Sequence, residues 1–351
     1  MSSKTYREAL ADAMHNAMDN YDNTIIIGQG VADFKGLFGT TSNLAKKYPK
    51  RVIETPLAED SIAGICLGAA LNGIYPINTH IRADFGLLVF NQLINLGAKY
   101  KYMFGGLFEV PIMMRMIVGR SWGQGAQHSQ SLQSLLAHIP GLVVVMPSSP
   151  KSIIQSYKYA IEKHRSPVIM LEHRLLYEIS FEDNDPMYKN VSMFGSVIAR
   201  IGKDLTIVAT SIMVLESKRA AQYLERFGLD IEIIDLNSIS HPDESLIIES
   251  VRKTGRLLVC DTSWKAYGVA AEINRIINEH DPKLLKEPSR SLSMQPSPCP
   301  TAKVLEEMYY PDMKDIVSAA INLIKGDMQT NIELPKKESM TSYYKHFKGP
   351  F

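Results

Sequence analysis

Six short apolar runs in the first half of the chain constrain its fold most. They are "TIIIG" (24–28), "RVIE" (51–54), "YPINTHI" (75–81), "VPIMMRMIV" (110–118), "LVVVMP" (142–147) and "PVIMLEH" (167–173). Each has strand length, and none alternates apolar with polar residues. Such strands are buried on both faces, as in a parallel sheet. Helical periods lie between them. Tyr6 to Asn20 carries Leu10, Ala13, Met14, Ala17 and Met18 on one face, and Ile62 to Leu71 ends at Gly73, a C-terminal cap residue. Phe85 to Met103 sets Leu88, Val89, Leu93 and Leu96 to one side, and Lys151 to Glu162 is a fourth helix. The alternation predicts an α/β unit with helices on both faces of a sheet.

The period fails over 174–192, where acids and proline enter; this is the expected crossing between two units. A second, smaller α/β series follows. It has strands at "SVIARIG", 204–210, 230–236 and 256–261, and helices over 214–227, 243–253 and 268–279. The expected division is a first domain over 1–180, a linker over 181–195, a second domain over 196–325 and a polar tail over 326–351. A length of 351 residues suits two domains. With 38 basic and 37 acidic residues no basic face is implied, so nucleic acid is not an expected partner. The three cysteines, Cys66, Cys260 and Cys299, form no metal-binding pair and suit a reducing compartment. "MSSKTYREAL" lacks an apolar signal core, and no apolar run approaches ~18 residues. The expected location is the cytoplasm, with no membrane contact.

Phosphate-binding signatures are weak. "GQGVADFKG" (28–36) matches a Gly-x-Gly-x-x-Gly turn only loosely, with Asp33 at the third glycine position. The stretch "TPLAEDSIAG" (55–64) places two acids, Glu59 and Asp60, where a strand hands over to a helix. Acids there are favoured by the helix dipole, so a cap and a reactive carboxyl group both fit the residues alone.

Several segments together resemble a known family. "RVIETPLAEDSIAGICLGAALNGIYPI", "AKYKYMFGGLFEVPIMMR", "GQGAQHSQSLQSLLAHIPGLVVVMPSSP", "SPVIMLEHRLLY", "TGRLLVCDTSW" and "PCPTAKVLEEMYYPDMKDIV" resemble the β subunit of thiamine-diphosphate-dependent 2-oxo acid dehydrogenases of the pyruvate, branched-chain and acetoin types. The resemblance covers about residues 4 to 325 in family order. It implies a pyrimidine-binding domain with a parallel sheet, then a transketolase C-terminal-like α/β domain. It also implies a division of labour. A separate α-type subunit supplies the diphosphate site and the Gly-Asp-Gly segment that ligates Mg2+; no Gly-Asp-Gly occurs in this chain. The implied assembly is an α₂β₂ heterotetramer that decarboxylates a 2-oxo acid and passes the acyl unit to a lipoyl acyltransferase.

The same resemblance assigns roles. Glu59, in "TPLAE", matches the carboxyl group that shares a proton with the cofactor's pyrimidine ring, so that the aminopyrimidine can deprotonate the thiazolium carbon. Asp60 keeps the helix-start reading. Leu57 matches an apolar position beside the pyrimidine, and Phe85 an aromatic lying against the ring. His128, in "AQHSQS", matches a histidine on the substrate side, with Gln127, Ser129 and Gln130 shaping its loop and His138 structural. Backbone carbonyls of Ile112, Ala160, Ile161, Lys163 and Arg165 match a structural potassium site, though cationic Lys163 and Arg165 are awkward there.

"THIRADFG" (79–86) departs from the family: His80, Arg82 and Asp84 are polar where packing residues are expected, and Gln29 replaces a frequent glutamate. Trp122 is a large residue in the loop before His128. Drift at a subunit contact is one reading; a changed substrate pocket, with Arg82 on a carboxylate or phosphate, is the other. The functions in contention are a dehydrogenase β subunit, a subunit of a split transketolase-like enzyme transferring a ketol or acyl unit to a sugar or aldehyde, and a non-catalytic assembly subunit.

Overall fold

The computed structural model describes residues 3–119, 123–182, 185–326 and 332–336. Trp122, and the tail apart from 326 and 332–336, lie outside the described residues. A short strand β1 (Ser3–Thr5) leads into the helix Tyr6–Asn20. The first sheet then forms from β2 (Thr24–Gly28), β3 (Val52–Glu54), β4 (Tyr75–His80), β5 (Met113–Val118), β6 (Val143–Val145) and β7 (Val168–His173). Their spatial order is β3-β2-β4-β5-β7-β6, and every pairing is parallel. β4, β5 and β7 are buried along their whole length, which is why their sequences do not alternate.

Helices cover both faces. Tyr6–Asn20 starts with a capping box, Thr5 with Glu8, and Pro150–Glu162 starts with another, Ser149 with Ser152. These two helices pack on each other over one face, and Glu59–Leu71 lies on the other beside β4. The chain runs from β2 out to β3 on one side and returns to β4 on the other. The carboxyl ends of β2 and β4 therefore flank a topological switch point, where crevices form in such sheets.

The expected helix over Phe85–Met103 is not one regular helix. It is a 3₁₀ segment Ala83–Val89, a π-helical segment Asn91–Gly97 and a short α-helix Ala98–Met103. Val89 and Leu93 are buried as the period requires, but Leu88 is exposed. Close packing explains the change. A Cβ at Gly86 would come within 2.8 Å of the Met116 side chain, so the chain hugs the sheet there and must rewind before the regular helix resumes.

β8 (Ser180–Glu182) pairs antiparallel with β1 inside the expected crossing. The second sheet contains β9 (Val197–Arg200), β10 (Leu205–Ala209), β11 (Ile231–Asp235), β12 (Leu257–Trp264) and β13 (Arg290–Met294), in the order β13-β12-β10-β11-β9. Only β9 is antiparallel to its neighbour. The two sheets are joined at the edge strand β6. Met146 N donates to Asn237 O and Ile239 N to Val144 O, both at 2.8 Å, which covers backbone that an edge would leave unpaired.

A buried ion pair crosses the first sheet between β5 and β7. Arg115 donates to Glu172 through Nε (2.5 Å) and Nη2 (2.8 Å), and both side chains are fully enclosed. Tyr157 and Tyr177 donate their hydroxyls to the same carboxylate, each at 2.6 Å. Removing one charge strands the other in a dry site. Glu172→Ala is therefore expected to destabilise the chain by about 3–5 kcal/mol in denaturant unfolding; a change below 1 kcal/mol would show the pair to be dispensable.

Candidate active site

Glu54, the last residue of β3, fixes the turn after β2. Its carboxylate accepts from Gly30 N (2.6 Å) and Ala32 N (2.8 Å). The loose glycine motif thus spends its amide groups on an anion from its own fold, and is a structural turn rather than a phosphate cradle. Beneath it, Gly28 has a left-handed φ of +151°, and a Cβ there would lie 2.4 Å from Thr79 O. The switch point closes only because this residue is glycine.

Five residues beyond Glu54, the chain from β3 reaches Glu59, the first residue of the helix Glu59–Leu71. Ala58 offers no side-chain cap, and Glu59 does not fold back to supply one; Gln29 Nε2 donates to its Oε1 at 3.2 Å. Asp60 instead takes Gln92 Nε2 at 3.2 Å on the exposed side. Glu59 therefore leans over the end of β2, toward the crevice. Leu57, two residues before this half-buried acid, is 79% exposed, and Phe85 is 38% exposed.

His80, ending β4, is enclosed below this surface. Asn78 Nδ2 donates to Ile27 O (3.1 Å), which aims Asn78 Oδ1 at His80 Nε2 (2.9 Å). Burial pushes the His80 pKa down to about 4, opposed by the Glu59 charge. The imidazole is neutral, with Nε2 as its donor. Asp84 is also buried, and its pKa is raised by desolvation despite accepting Gln130 N at 3.1 Å. That bond anchors the loop carrying His128, whose ring meets Phe85 edge-on at 5.3 Å between centroids. The fold thus joins Phe85 to His128 and Gln29 to Glu59. Arg82 is buried next to them, and its Nη1 donates to Gly119 O at 2.7 Å, so its side chain braces the end of β5.

The potassium expectation meets a poor fit. Ile112 O accepts Val168 N (2.9 Å) and Arg165 O accepts Val110 N (3.2 Å). The Arg165 guanidinium points at Ile161 O (3.5 Å) and Glu162 O (3.3 Å). A second cation beside that guanidinium would be repelled, so the residues do not suit a monovalent ion. Among the described residues no group of three or more His, Cys, Asp or Glu side chains could hold a metal, and no helix is long and apolar enough to cross a membrane. A cavity of about 680 Å³ opens elsewhere, between the domains, lined by Leu135, His138, Ile239, Trp264, Tyr267 and Glu272 among others.

Sequence reasoning passed over Glu54, Gln133 and Asp261. Glu54 and Asp261 share a readable signal: each is an acid near the carboxyl end of an apolar strand, where a carboxylate meets the backbone and hydroxyl donors of the following loops and organises them.

Comparison with known proteins decides the family. The family model for the transketolase pyrimidine-binding domain matches residues 2–180, and that for the transketolase C-terminal domain matches 195–316. The pyruvate dehydrogenase E1 component subunit beta of Rickettsia conorii is 37% identical over 316 residues, 90% of this chain and 96% of the relative. The chain belongs to this transketolase-like β-subunit family. The mitochondrial pyruvate dehydrogenase β subunit of Bos taurus is 36% identical, covering 90% of this chain and 89% of that protein. The β subunit of acetoin:2,6-dichlorophenolindophenol oxidoreductase from Cupriavidus necator is 35% identical, covering 91% and 96%. A solved structure titled as a split-gene transketolase, an inactive β4 tetramer, superposes with a TM-score of 0.72 at 21% identity, covering 92% of this chain and 98% of that one. It shares the fold of this family member.

Two outcomes follow from the site's electrostatics. His80 and His164 both have pKa values lowered to about 4 by burial, so between pH 6.5 and 4 the unfolded chain binds protons that the folded chain does not. Stability should fall as pH drops through that window, and His80→Gln should flatten the decline in thermal melts; an unchanged slope contradicts the burial argument. Replacing potassium by sodium should leave the melting temperature unchanged; a potassium-specific rise of several degrees would restore the ion site.

Proposed function

We propose that this chain is the β subunit of a thiamine-diphosphate-dependent 2-oxo acid dehydrogenase, working with an α-type subunit in an α₂β₂ assembly. The observation that carries the reading is Glu59, an uncapped helix-start acid held over the end of β2 by Gln29, in a domain that leaves Leu57 and Phe85 exposed. A carboxyl group and exposed apolar side chains suit a flat heteroaromatic ring that is bonded at one edge and covered by a second subunit. Bound there, thiamine diphosphate would supply a nucleophilic carbon that attacks a 2-oxo acid.

This chain's residues have distinct tasks in that reading. Glu59 holds a proton at the ring edge, and the Gln29 amide keeps its other oxygen oriented. Leu57 and Phe85 exclude water from the ring faces. His128, steadied by Phe85, faces the substrate side and orients the carboxylate of the 2-oxo acid. The α-type partner holds the diphosphate and its Mg2+, and a lipoyl acyltransferase takes the acyl unit. The relatives named as pyruvate dehydrogenase and acetoin oxidoreductase β subunits support this assignment.

One feature favours a second reading, transfer of a ketol or acyl unit to a sugar or aldehyde. His80, Arg82 and Asp84 put three buried polar groups under the site, and Arg82 would lie near an anionic substrate group. Co-expression with the α-type partner, followed by a screen of 2-oxo acids and sugar phosphates, separates the readings. Turnover that requires a lipoyl acceptor supports the dehydrogenase, turnover that requires an aldehyde supports the transferase, and failure of the pair to bind thiamine diphosphate returns the chain to an assembly role. Arg82→Ala should raise the substrate KM about tenfold or more, as expected for loss of a charge-assisted contact; unchanged kinetics would remove Arg82 from the substrate site.

A further inference from the structure

We propose that the second domain positions the His128 loop, through a buried bond between Gln133 and Asp261, and so sets the catalytic competence of a site to which it contributes no reacting group. The inference rests on the reading of His128 as a substrate-side residue. The loop over 123–133 is held by the first domain through Gln130 N on Asp84 (3.1 Å) and the Phe85–His128 ring contact, and at its ends by the second domain. At the far end, Gln133 Nε2 donates to Asp261 Oδ1 at 2.8 Å, and Ser131 Oγ bonds both Gln133 Oε1 (2.8 Å) and Thr262 Oγ1 (3.2 Å). At the near end, Gly123 and Gly125 have left-handed φ of +61° and +70°, and a Cβ on either would lie 2.5 Å from Thr301.

Asp261 is built for this task. It is 1% exposed, and Gln133 is fully buried. Its carboxylate also accepts from Thr210 Oγ1 (2.6 Å), Thr262 N (2.8 Å) and the Ser263 hydroxyl, so it is rigid within the second domain. A fixed carboxylate that reaches across the domain boundary to one amide transmits any shift of the second domain to the loop, three residues from Gln130 and five from His128. Within the loop, His128 N donates to Gly125 O at 3.4 Å.

The test replaces Gln133 in the complex with the α-type partner. Gln133→Glu sets two carboxylates face to face, while Gln133→Leu keeps much of the volume and removes the donor to Asp261. Three readouts are taken: amide hydrogen exchange over 123–133, thiamine diphosphate affinity, and kcat with KM. For Gln133→Glu, exchange in the loop should quicken about tenfold while the helix Tyr6–Asn20 is unchanged. kcat should fall about 10²-fold, the scale of a misplaced catalytic group, with cofactor affinity within about twofold. Gln133→Leu should change loop exchange and kcat in the same sense, by about tenfold each. Unchanged loop exchange in either variant, or a kcat within about twofold of the natural chain in both, overturns the proposal. If Gln133→Glu does not fold, Gln133→Asn shortens the tether without adding charge and carries the same expectation. Loop exchange is read without substrate, so a chain that turns over no 2-oxo acid can still confirm or refute the tether.

Discussion

Six parallel strands, with β4, β5 and β7 buried on both faces, leave one place for chemistry, the edge where their carboxyl ends open to solvent. Everything in the candidate site depends on how tightly that edge is closed at the switch point. Gly28 against the Thr79 carbonyl lets β2 and β4 meet with no side chain between them. Glu54 then ties the following turn down by two backbone amides. With the turn fixed, Gln29 can reach Glu59, and the acid is held over the crevice instead of serving its own helix. A chain that lost this closure would keep its sheet and lose the aim of its carboxyl group.

The site is finished from two directions. From outside, Leu57 and Phe85 are left exposed by the described residues, consistent with a family in which relatives are named as β subunits. From inside the chain, the second domain reaches across to the His128 loop through Asp261, as the first does through Asp84. Two buried acids, one from each domain, thus hold one loop between them. The second sheet, which offers no reacting group in this reading, becomes part of the chemistry by fixing where His128 stands.

Much of this could be read from the residues. The apolar runs marked the six strands because buried parallel strands carry no other signal, and the helices Tyr6–Asn20 and Pro150–Glu162 followed from period and cap. What escaped has physical causes. β8 and β13 are short, partly exposed and polar, so no apolar run announces them. The segment after Arg82 kept a helical period in sequence yet rewinds into 3₁₀ and π geometry, because Gly86 presses on Met116, a tertiary contact that period cannot encode. The roles of Glu54 and Asp261 depend on donors more than twenty and a hundred residues away. The glycine-rich turn matches a phosphate-binding motif only loosely, and the anion its amides bind, Glu54, comes from elsewhere in the same chain. Arg165 was the residue most at odds with a potassium site, and its guanidinium lies against the carbonyl the ion would need.

The central claim is that Glu59 shares a proton with the cofactor's pyrimidine ring and thereby allows the thiazolium carbon to ionise. The most direct measurement is the rate at which that carbon's proton exchanges with deuterated water in the assembled complex, compared between the natural chain and Glu59→Gln. The account predicts a rate about 10²-fold or more slower in the variant, within the range of a lost acid–base group, with the cofactor still bound. Equal exchange rates at full cofactor occupancy would contradict it.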